Sequence, residues 1–211
     1  MYQLINENAD AVIGEVDMIR DVRRYVELRL RLLSEDAATA DPAFQRAFRA
    51  YWGMNAARLS TAFFDRYFDT LARCQSVGHT DIPRVVADLA RTSPARPSLQ
   101  FSFVTKLAHM VTPELPVYDS FVAAFYFYVP PESGRGFEER LQELMGFYGF
   151  LQREYARIAA KRLLLPAVQA FRARFDLPAA VGDERIIDWL LWGWVSVLRR
   201  GALQDGRVRY A

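Results

Sequence analysis

Apolar residues recur at helical spacing along most of this chain, and proline and capping residues divide the helical stretches. The first long stretch, from Ala9 to Leu33, has apolar residues at Val12, Val16, Ile19, Val26 and Leu30. No segment combines strand-like alternation with a hairpin turn. The sequence therefore predicts an all-α fold in one helical domain over residues 1–211, and residues 92–97 are a candidate boundary between two lobes.

Local signals predict where the helices begin and end. The expected capping residues are Asp41, Ser60, Asp81, Ser98 and Asp119. The helix after Ser98 is expected to end near Pro113 and Pro116, and the next is expected over Ser120 to Tyr128. The remaining expected helices run from about Phe137 to about Leu165, with Pro166 kinking or restarting the chain, and from Asp183 to Arg200.

Composition excludes several classes of protein. The net charge of +2 argues against a strongly basic nucleic-acid arm. Cys74 is the single cysteine, which excludes an internal disulfide, a cysteine-rich zinc site and a four-cysteine iron–sulfur cluster. The apolar stretches are too short or too interrupted to span a bilayer. We expect a cytoplasmic protein that needs no membrane, metal or cofactor.

Lysine is rare in this chain. Of 27 basic residues only Lys106 and Lys161 are lysine, so arginine supplies 25. A lysine amine can lose its proton and attack an electrophilic carbon, whereas a guanidinium stays charged. Lys106 also lies on an expected helix that is soon followed by the turn Pro116-Val-Tyr-Asp119. Lys106 is therefore a candidate nucleophile, and the alternative is a solvated surface lysine.

Asp119 is the candidate partner of that lysine. A lysine amine in a dry pocket can attack the anomeric carbon of a sugar and form an imine. A nearby carboxylate stabilises the positive charge that develops on the sugar as its base departs. The start of a helix at Asp119 would favour the ionised carboxylate.

The segment that holds both residues resembles the core of the helix-hairpin-helix DNA glycosylases, in particular the 8-oxoguanine DNA glycosylase branch. The matching residues are Lys106-Leu-Ala108 and Pro116-Val-Tyr-Asp119. The resemblance implies a two-lobed helical fold that flips a damaged base into a pocket between the lobes. It also implies that Lys106 is the nucleophile and Asp119 its electrostatic partner.

The resemblance covers about twenty residues and has two departures. The family has a Gly-x-Gly turn before its lysine that grips phosphate, whereas residues 99–105 contain no glycine. The spacing from lysine to aspartate is also shorter than in the family. Along most of its length the chain is similar to a group of uncharacterised bacterial proteins that share Ser102-Phe-x-Thr-Lys106, Pro116-x-x-Asp119 and Ile187-Asp188-Trp-x-Leu-Trp192.

Further residues are candidates for contacting a substrate, and each has a structural alternative. They are His109, Tyr118, Trp192, Asp188 and Arg135. His109 shares a helix face with Lys106 but is also typical of a core histidine. Trp192 can stack on an extruded base, although tryptophans near it are typical of core packing. Asp188 would need a partner if it were buried, with Lys161 or an arginine as candidates.

Two other groups of residues have similar alternatives. Arg135 lies in a glycine-containing loop that could contact a phosphate group or have no binding role. The aromatic helix with Phe44, Phe48, Tyr51 and Trp52 can line a base pocket or pack in the core.

The sequence thus suggests a DNA glycosylase-like protein of base excision repair, with possible strand-cleaving lyase activity and DNA as its partner. One alternative is a non-catalytic helical binding protein in which Lys106 and Asp119 form a buried ion pair. Another is an enzyme with a different nucleophile or substrate, such as a nucleoside or a modified phage base.

Overall fold

A computed structural model describes residues 1–34, 38–92, 98–178 and 181–201. Its α-helices are α1 (Tyr2–Glu7), α2 (Ala9–Gly14), α3 (Arg24–Ser34), α4 (Pro42–Tyr51), α5 (Thr61–Val77), α6 (Ile82–Ala90), α7 (Phe101–Val111), α8 (Ser120–Phe125), α9 (Phe137–Ala160), α10 (Leu165–Phe175) and α11 (Asp183–Arg200). A π-helical turn spans Met18–Arg23, and short 3-10 turns span Ala38–Ala40 and Met54–Ala57. These described ranges contain no strand, which confirms the all-α prediction.

The expected continuous helix from Ala9 to Leu33 is wrong, because the chain breaks near Asp17. Asp17 has an extended backbone, and its carboxylate accepts hydrogen bonds from the amides of Ile19 and Arg20. An aspartate that caps a new helix in this way ends the preceding one. The break rotates the helical face, so that Ile19 and Leu30, two members of the apolar spacing, are 69% and 55% exposed.

Most other expected helix starts are confirmed. The side chains of Asp41, Ser60 and Asp81 accept backbone hydrogen bonds from the first turns of α4, α5 and α6. The expected cap Ser98 is wrong: α7 begins only at Phe101, and its N-cap residue Gln100 makes no side-chain cap bond. The hydroxyl of Ser98 instead accepts a hydrogen bond from the Gln100 side-chain amide.

Two expected helices end earlier than predicted because the backbone turns to positive φ. Helix α8 ends at Phe125, and Phe127 has a φ of 54°. Helix α9 ends at Ala160 rather than near Leu165, and Arg162 has a φ of 52°. A left-handed residue cannot continue a right-handed helix. Pro166 then lies in the first turn of α10, so it restarts the helix.

One connected cluster of buried apolar side chains runs from Ile5 to Val197. Helix α11 packs against α2, α8, α9 and α10, while α7 packs against α5 and α6. The candidate lobe boundary at residues 92–97 falls almost entirely on residues 93–97, which lie outside the described residues. Within the described ranges no helix is long and apolar enough to cross a membrane. The packing places α7, the start of α8 and α11 around a common pocket.

Candidate functional site

A pocket of about 780 Å³ opens between α7, α8 and α11. The π-helical turn and the C-terminal end of α4 close its other sides. Its lining residues are Arg20, Asp21, Tyr51, Trp52, Gly53, Ser102, Lys106, Val117, Asp119, Ser120, Phe121, Val122, Arg185, Asp188, Trp189, Trp192 and Arg200. Binding pockets for small ligands typically measure roughly 300–1,000 Å³, so this pocket is large enough for a nucleotide-sized group.

Lys106 reaches this pocket from the middle of α7. Its amine donates a hydrogen bond to the backbone carbonyl oxygen of Trp52, with 3.0 Å between Nζ and O. The amine also lies 5.2 Å from the ring centre of Phe103 and 5.9 Å from that of Trp52. Burial lowers the pKa of Lys106, and the positive charge of Arg185 lowers it further, against the opposing effect of Asp119. Such an environment favours the neutral, nucleophilic amine.

Asp119 lines the same pocket as the N-cap of α8. Its Oδ1 accepts hydrogen bonds from the backbone amides of Phe121 and Val122, at 2.8 and 2.9 Å. Both bonds use the same oxygen, so Oδ2 takes no part in them. The sequence prediction that Asp119 caps this helix is confirmed.

Thr105 joins the lysine helix to the aspartate turn. The backbone amide of Tyr118 donates to Thr105 Oγ1 at 3.1 Å, and this hydroxyl also lies 3.3 Å from the Tyr118 carbonyl oxygen. On the other side of the turn, the hydroxyl of Tyr148 donates to the carbonyl oxygen of Pro116 at 3.0 Å. Thr105 precedes Lys106 and Tyr118 precedes Asp119, so this contact sets the relative position of the two candidate groups.

Arg185 forms the cationic wall of the pocket, and its guanidinium is surrounded by aromatic rings. The guanidinium carbon lies 4.9, 5.9, 5.1 and 4.5 Å from the ring centres of Tyr25, Tyr51, Trp52 and Trp189. Its Nη2 also donates a hydrogen bond to the Tyr51 hydroxyl at 2.5 Å. Cation–π contacts of this kind hold a desolvated guanidinium in one orientation.

Asp188 lies one helical turn after Arg185 and is 5% exposed. The hydroxyl of Tyr155 donates to its Oδ1 at 2.5 Å, and Arg185 Nη1 lies 3.5 Å from its Oδ2. Burial raises the pKa of Asp188 to about 7, because the desolvation of the carboxylate outweighs the attraction of Arg185. Of the two partners that the sequence suggested for a buried Asp188, the structure has the arginine and not Lys161.

The described polar contacts of Lys106 differ from those of the pocket arginines, which form ion pairs with acidic side chains. Arg20 pairs with Asp21 at 3.0 Å, and Arg200 pairs with Glu15 at 3.1 Å. The described hydrogen bond of Lys106, in contrast, goes to a neutral carbonyl group. Lys106 is thus the pocket cation that can lose its proton without breaking a described ion pair.

Four of the seven residues predicted for the site line this pocket. They are Lys106, Asp119, Asp188 and Trp192. Trp192 packs against Phe121 with ring centres 5.5 Å apart, at the same wall of the pocket as Asp119. The pocket therefore brings together four predicted residues from α7, α8 and α11 that are separated by up to 86 positions in the chain.

The other three predicted residues are not among the lining residues of this pocket. His109 is completely buried, between the Tyr25 hydroxyl and the Leu115 carbonyl group. Tyr118 points into a cluster of rings with Phe101, Tyr128 and Phe147. Arg135 forms ion pairs with two acids of its own neighbourhood, Glu139 and Glu143.

The aromatic helix α4 divides between the core and the pocket. Phe44 and Phe48 are completely buried in the core, whereas Tyr51 and Trp52, at the C-terminal end of the helix, line the pocket. Trp194 is fully buried, and Trp189 stacks on Phe171 with ring centres 5.3 Å apart.

Arg185 was missed by the sequence reasoning. The signal that could have found it is a pair of opposite charges at i and i+3, Arg185 and Asp188, within an otherwise apolar helical stretch. Thr105 and Tyr155 carry no comparable signal, since their roles depend on contacts with residues 13 and 33 positions away.

The residues that the structure describes include no group of three or more His, Cys, Asp or Glu side chains placed to hold a metal ion. Comparison with protein families, with curated proteins and with solved structures found no match. The chemistry that this pocket can perform therefore follows from its own residues: a desolvated amine, three carboxylates, a buried guanidinium and aromatic walls.

Proposed function

We propose that this protein releases a damaged or modified base from DNA, with Lys106 as nucleophile and Asp119 as the carboxylate that stabilises the sugar cation. One observation carries the proposal: the Lys106 amine, with its lowered pKa, and the Asp119 carboxylate line the same pocket. The two-lobed helix-hairpin-helix architecture is part of this proposal and rests on the resemblance around the two residues.

The proposed chemistry uses these groups in one displacement. The lone pair of the neutral Lys106 amine forms a bond to C1′ of an extruded nucleotide, while the bond from C1′ to the base breaks. Positive charge that develops on the sugar is stabilised by Asp119 in a partly desolvated site. The amine adduct then loses a proton, and the nitrogen lone pair expels the ring oxygen O4′, which takes up a proton as the C1′–O4′ bond breaks. Borohydride reduces the resulting imine to a stable covalent bond.

The walls of the pocket suit an extruded base. Tyr51, Trp52 and Trp192 provide aromatic surface, and stacking on such surface is worth about 1–3 kcal/mol per base. Extrusion costs a few kcal/mol of lost pairing and stacking, so this surface offsets much of the cost. Arg20 and Arg200 are both exposed among the lining residues, where they can meet the phosphate backbone.

The second candidate is a non-catalytic helical binding protein, and two contacts favour it. The Lys106 amine bonds to the carbonyl group that ends α4, and Asp119 caps α8. Both groups therefore have structural roles that do not require catalysis. The described contacts of this candidate are a carbonyl bond and a helix cap, and not the ion pair between the two residues that the sequence suggested.

A borohydride trapping experiment distinguishes the two candidate functions. The DNA used contains an abasic site or a modified base. We expect the unaltered protein to form a covalent adduct and Lys106→Gln to form none, because the glutamine amide is not a nucleophile. The matched control is Lys161→Gln, which removes the other lysine of the chain at an exposed position that does not line the pocket. The adduct is measured by gel shift and its position by peptide mass.

Glutamine keeps an N–H donor for the Trp52 carbonyl group, so the fold of the variant is expected to persist and is checked by thermal melting. An adduct of unchanged yield with Lys106→Gln would assign the nucleophile elsewhere. If the unaltered protein traps none of the DNA substrates, the glycosylase proposal is overturned and the binding protein remains.

A further inference from the structure

The pocket contains another carboxylate, Asp188, which the proposed displacement does not use. Asp188 is 5% exposed and lines the pocket together with Lys106 and Asp119. Tyr155 donates to one of its oxygens, Oδ1. The other oxygen, Oδ2, is buried and lies 3.5 Å from Nη1 of Arg185. The carboxyl group of Asp188 is therefore held between Tyr155 and Arg185 at the wall of the pocket.

Asp119 and Asp188 have contrasting surroundings in the pocket. Asp119 accepts two backbone N–H bonds at the start of α8. Asp188 is shielded from water, and this burial raises its pKa to about 7. Two carboxyl groups in such different surroundings can divide the roles of charge stabiliser and acid between them.

The charged and titratable groups near Asp188 come from several elements. They are Arg185 on the same helix, Asp119 at the start of α8, and the tyrosines Tyr25, Tyr126, Tyr148 and Tyr155. Arg185 favours the ionised form of Asp188, Asp119 disfavours it, and the hydrogen bond from Tyr155 favours it. Burial outweighs these effects, so a proton resides on Asp188 over part of the neutral range.

We infer that Asp188 is the general acid of the reaction proposed above, and that its carboxyl group delivers a proton to the departing base. This inference rests on the proposed function. A base that leaves without a proton carries away the electron pair of its bond to C1′ as an anion, which makes it a poor leaving group. Protonation by Asp188 lets the base leave as a neutral heterocycle, and proton transfer of this kind contributes about 10²–10⁴-fold.

The step balances with solvent water as the final proton acceptor. The bond from C1′ to the base breaks and its electron pair goes to the base, which takes the proton of Asp188. The Lys106 lone pair forms the new bond to C1′, and the cationic adduct loses a proton to water. Asp188 is left as an anion, and Arg185 at 3.5 Å and the Tyr155 hydroxyl at 2.5 Å stabilise it.

The test compares two reactions of Asp188→Asn, a substitution of nearly unchanged shape. One is base release from duplexes that contain uracil, hypoxanthine or 8-oxoguanine. The other is borohydride trapping on a preformed abasic site, where no base has to leave. We expect base release to fall at least 100-fold and trapping on the abasic site to stay within about twofold of the unaltered protein.

Two further measurements distinguish a general acid at Asp188 from a residue with only a structural role. A substrate whose base carries electron-withdrawing groups leaves readily without a proton, so the defect of Asp188→Asn should shrink at least tenfold on it. In the unaltered protein the plot of log rate of base release against pH should bend downward as pH rises through about 7, because Asp188 loses its proton there while Lys106 gains reactivity by losing its own. This pH profile needs no variant and remains informative if Asp188→Asn folds poorly.

The outcomes are distinct from those that test the nucleophile. Base release and abasic-site trapping that fall in parallel would make Asp188 structural and overturn the inference, as would base release that Asp188→Asn leaves unchanged. Trapping on abasic DNA without release of any tested base would also overturn it, while leaving Lys106 as the nucleophile. Absence of trapping by the unaltered protein refutes the proposed function itself.

Discussion

His109 lies three residues after Lys106 on α7 but faces the interior. Its Nδ1 lies 2.7 Å from the Leu115 carbonyl oxygen, which can only accept, so Nδ1 carries the hydrogen. Its Nε2 then accepts from the Tyr25 hydroxyl at 3.0 Å. Burial lowers the pKa of His109 to about 3, and the charge of Arg185 adds to this effect. The residue thus stays neutral in the folded protein and ties α7 to α3.

This neutral histidine makes stability depend on pH. The unfolded chain binds a proton on His109 near its ordinary pKa of about 6.5, whereas the folded protein binds it only near pH 3. The free energy of unfolding should therefore fall as pH drops from about 6.5 towards about 3. Urea unfolding across this range is expected to show a weaker dependence on pH for His109→Gln.

The control is His79→Gln, which alters the only other histidine of the chain at an exposed position. It should leave the pH dependence of unfolding unchanged. Identical profiles for His109→Gln and the unaltered protein would show that His109 is not buried in its neutral form.

At the scale of the element, the close approach of α11 to α2 supports the pocket. A Cβ atom added at Gly193 would lie 2.5 Å from the Val12 carbonyl oxygen and 3.1 Å from Val12 Cγ1. A backbone oxygen cannot move aside as a flexible side chain can, so only glycine fits here. The same helix carries Arg185, Asp188 and Trp192, and its contact with α2 therefore also positions one wall of the pocket.

Two glycine substitutions in helices should have opposite effects on stability. Gly193→Ala is expected to lower the free energy of unfolding by about 1–3 kcal/mol, because the methyl group forces α11 away from α2. Gly146→Ala, in α9, places its methyl group where no other atom lies within 4 Å. It should raise stability by about 0.5–1 kcal/mol through the lower entropy of the unfolded chain. Chemical denaturation measures both, and two effects of the same sign would contradict the packing described for Gly193.

At the scale of the whole molecule, the charge is nearly balanced despite 25 arginines. The net charge is +2, and arginines at the pocket are paired with Asp21, Asp188 and Glu15. With so little excess positive charge, we expect DNA binding to depend on a few arginines near the pocket. Arg20 and Arg200 are the exposed lining arginines, with side chains 68% and 69% accessible.

The salt dependence of DNA binding tests this arrangement. Each phosphate contact contributes about −0.9 to the slope of log K against log salt concentration. Arg20→Gln and Arg200→Gln should therefore each make the slope for abasic duplex DNA shallower by about 1. Arg84→Gln, at an exposed arginine of α6 that does not line the pocket, should not alter it. Fluorescence anisotropy over a range of salt concentrations gives the slopes, and equal slopes for all three variants would place the DNA elsewhere.

The sequence alone determined the helical class, most helix starts, and Lys106 and Asp119 as candidates. Capping depends on bonds between a side chain and amides two or three residues away, so Asp41, Ser60 and Asp119 could be recognised locally. The prediction that Ser98 caps α7 was wrong, because its hydroxyl accepts a hydrogen bond from the Gln100 side chain and α7 begins three residues after Ser98. Asp17 went unrecognised because the apolar spacing continues past it.

Only the tertiary structure decided which polar groups share the pocket. The Lys106 amine meets a carbonyl group 54 residues away, and Asp188 meets a tyrosine 33 residues away. Neither contact leaves a periodic or local trace in the sequence, because each depends on how whole helices pack. The same packing buried His109 and placed the ring of Tyr118 in a cluster of aromatic side chains, while Arg135 forms an ion pair with Glu139. Burial then lowered the pKa of Lys106 and raised that of Asp188, since the cost of charge depends on the surrounding solvent.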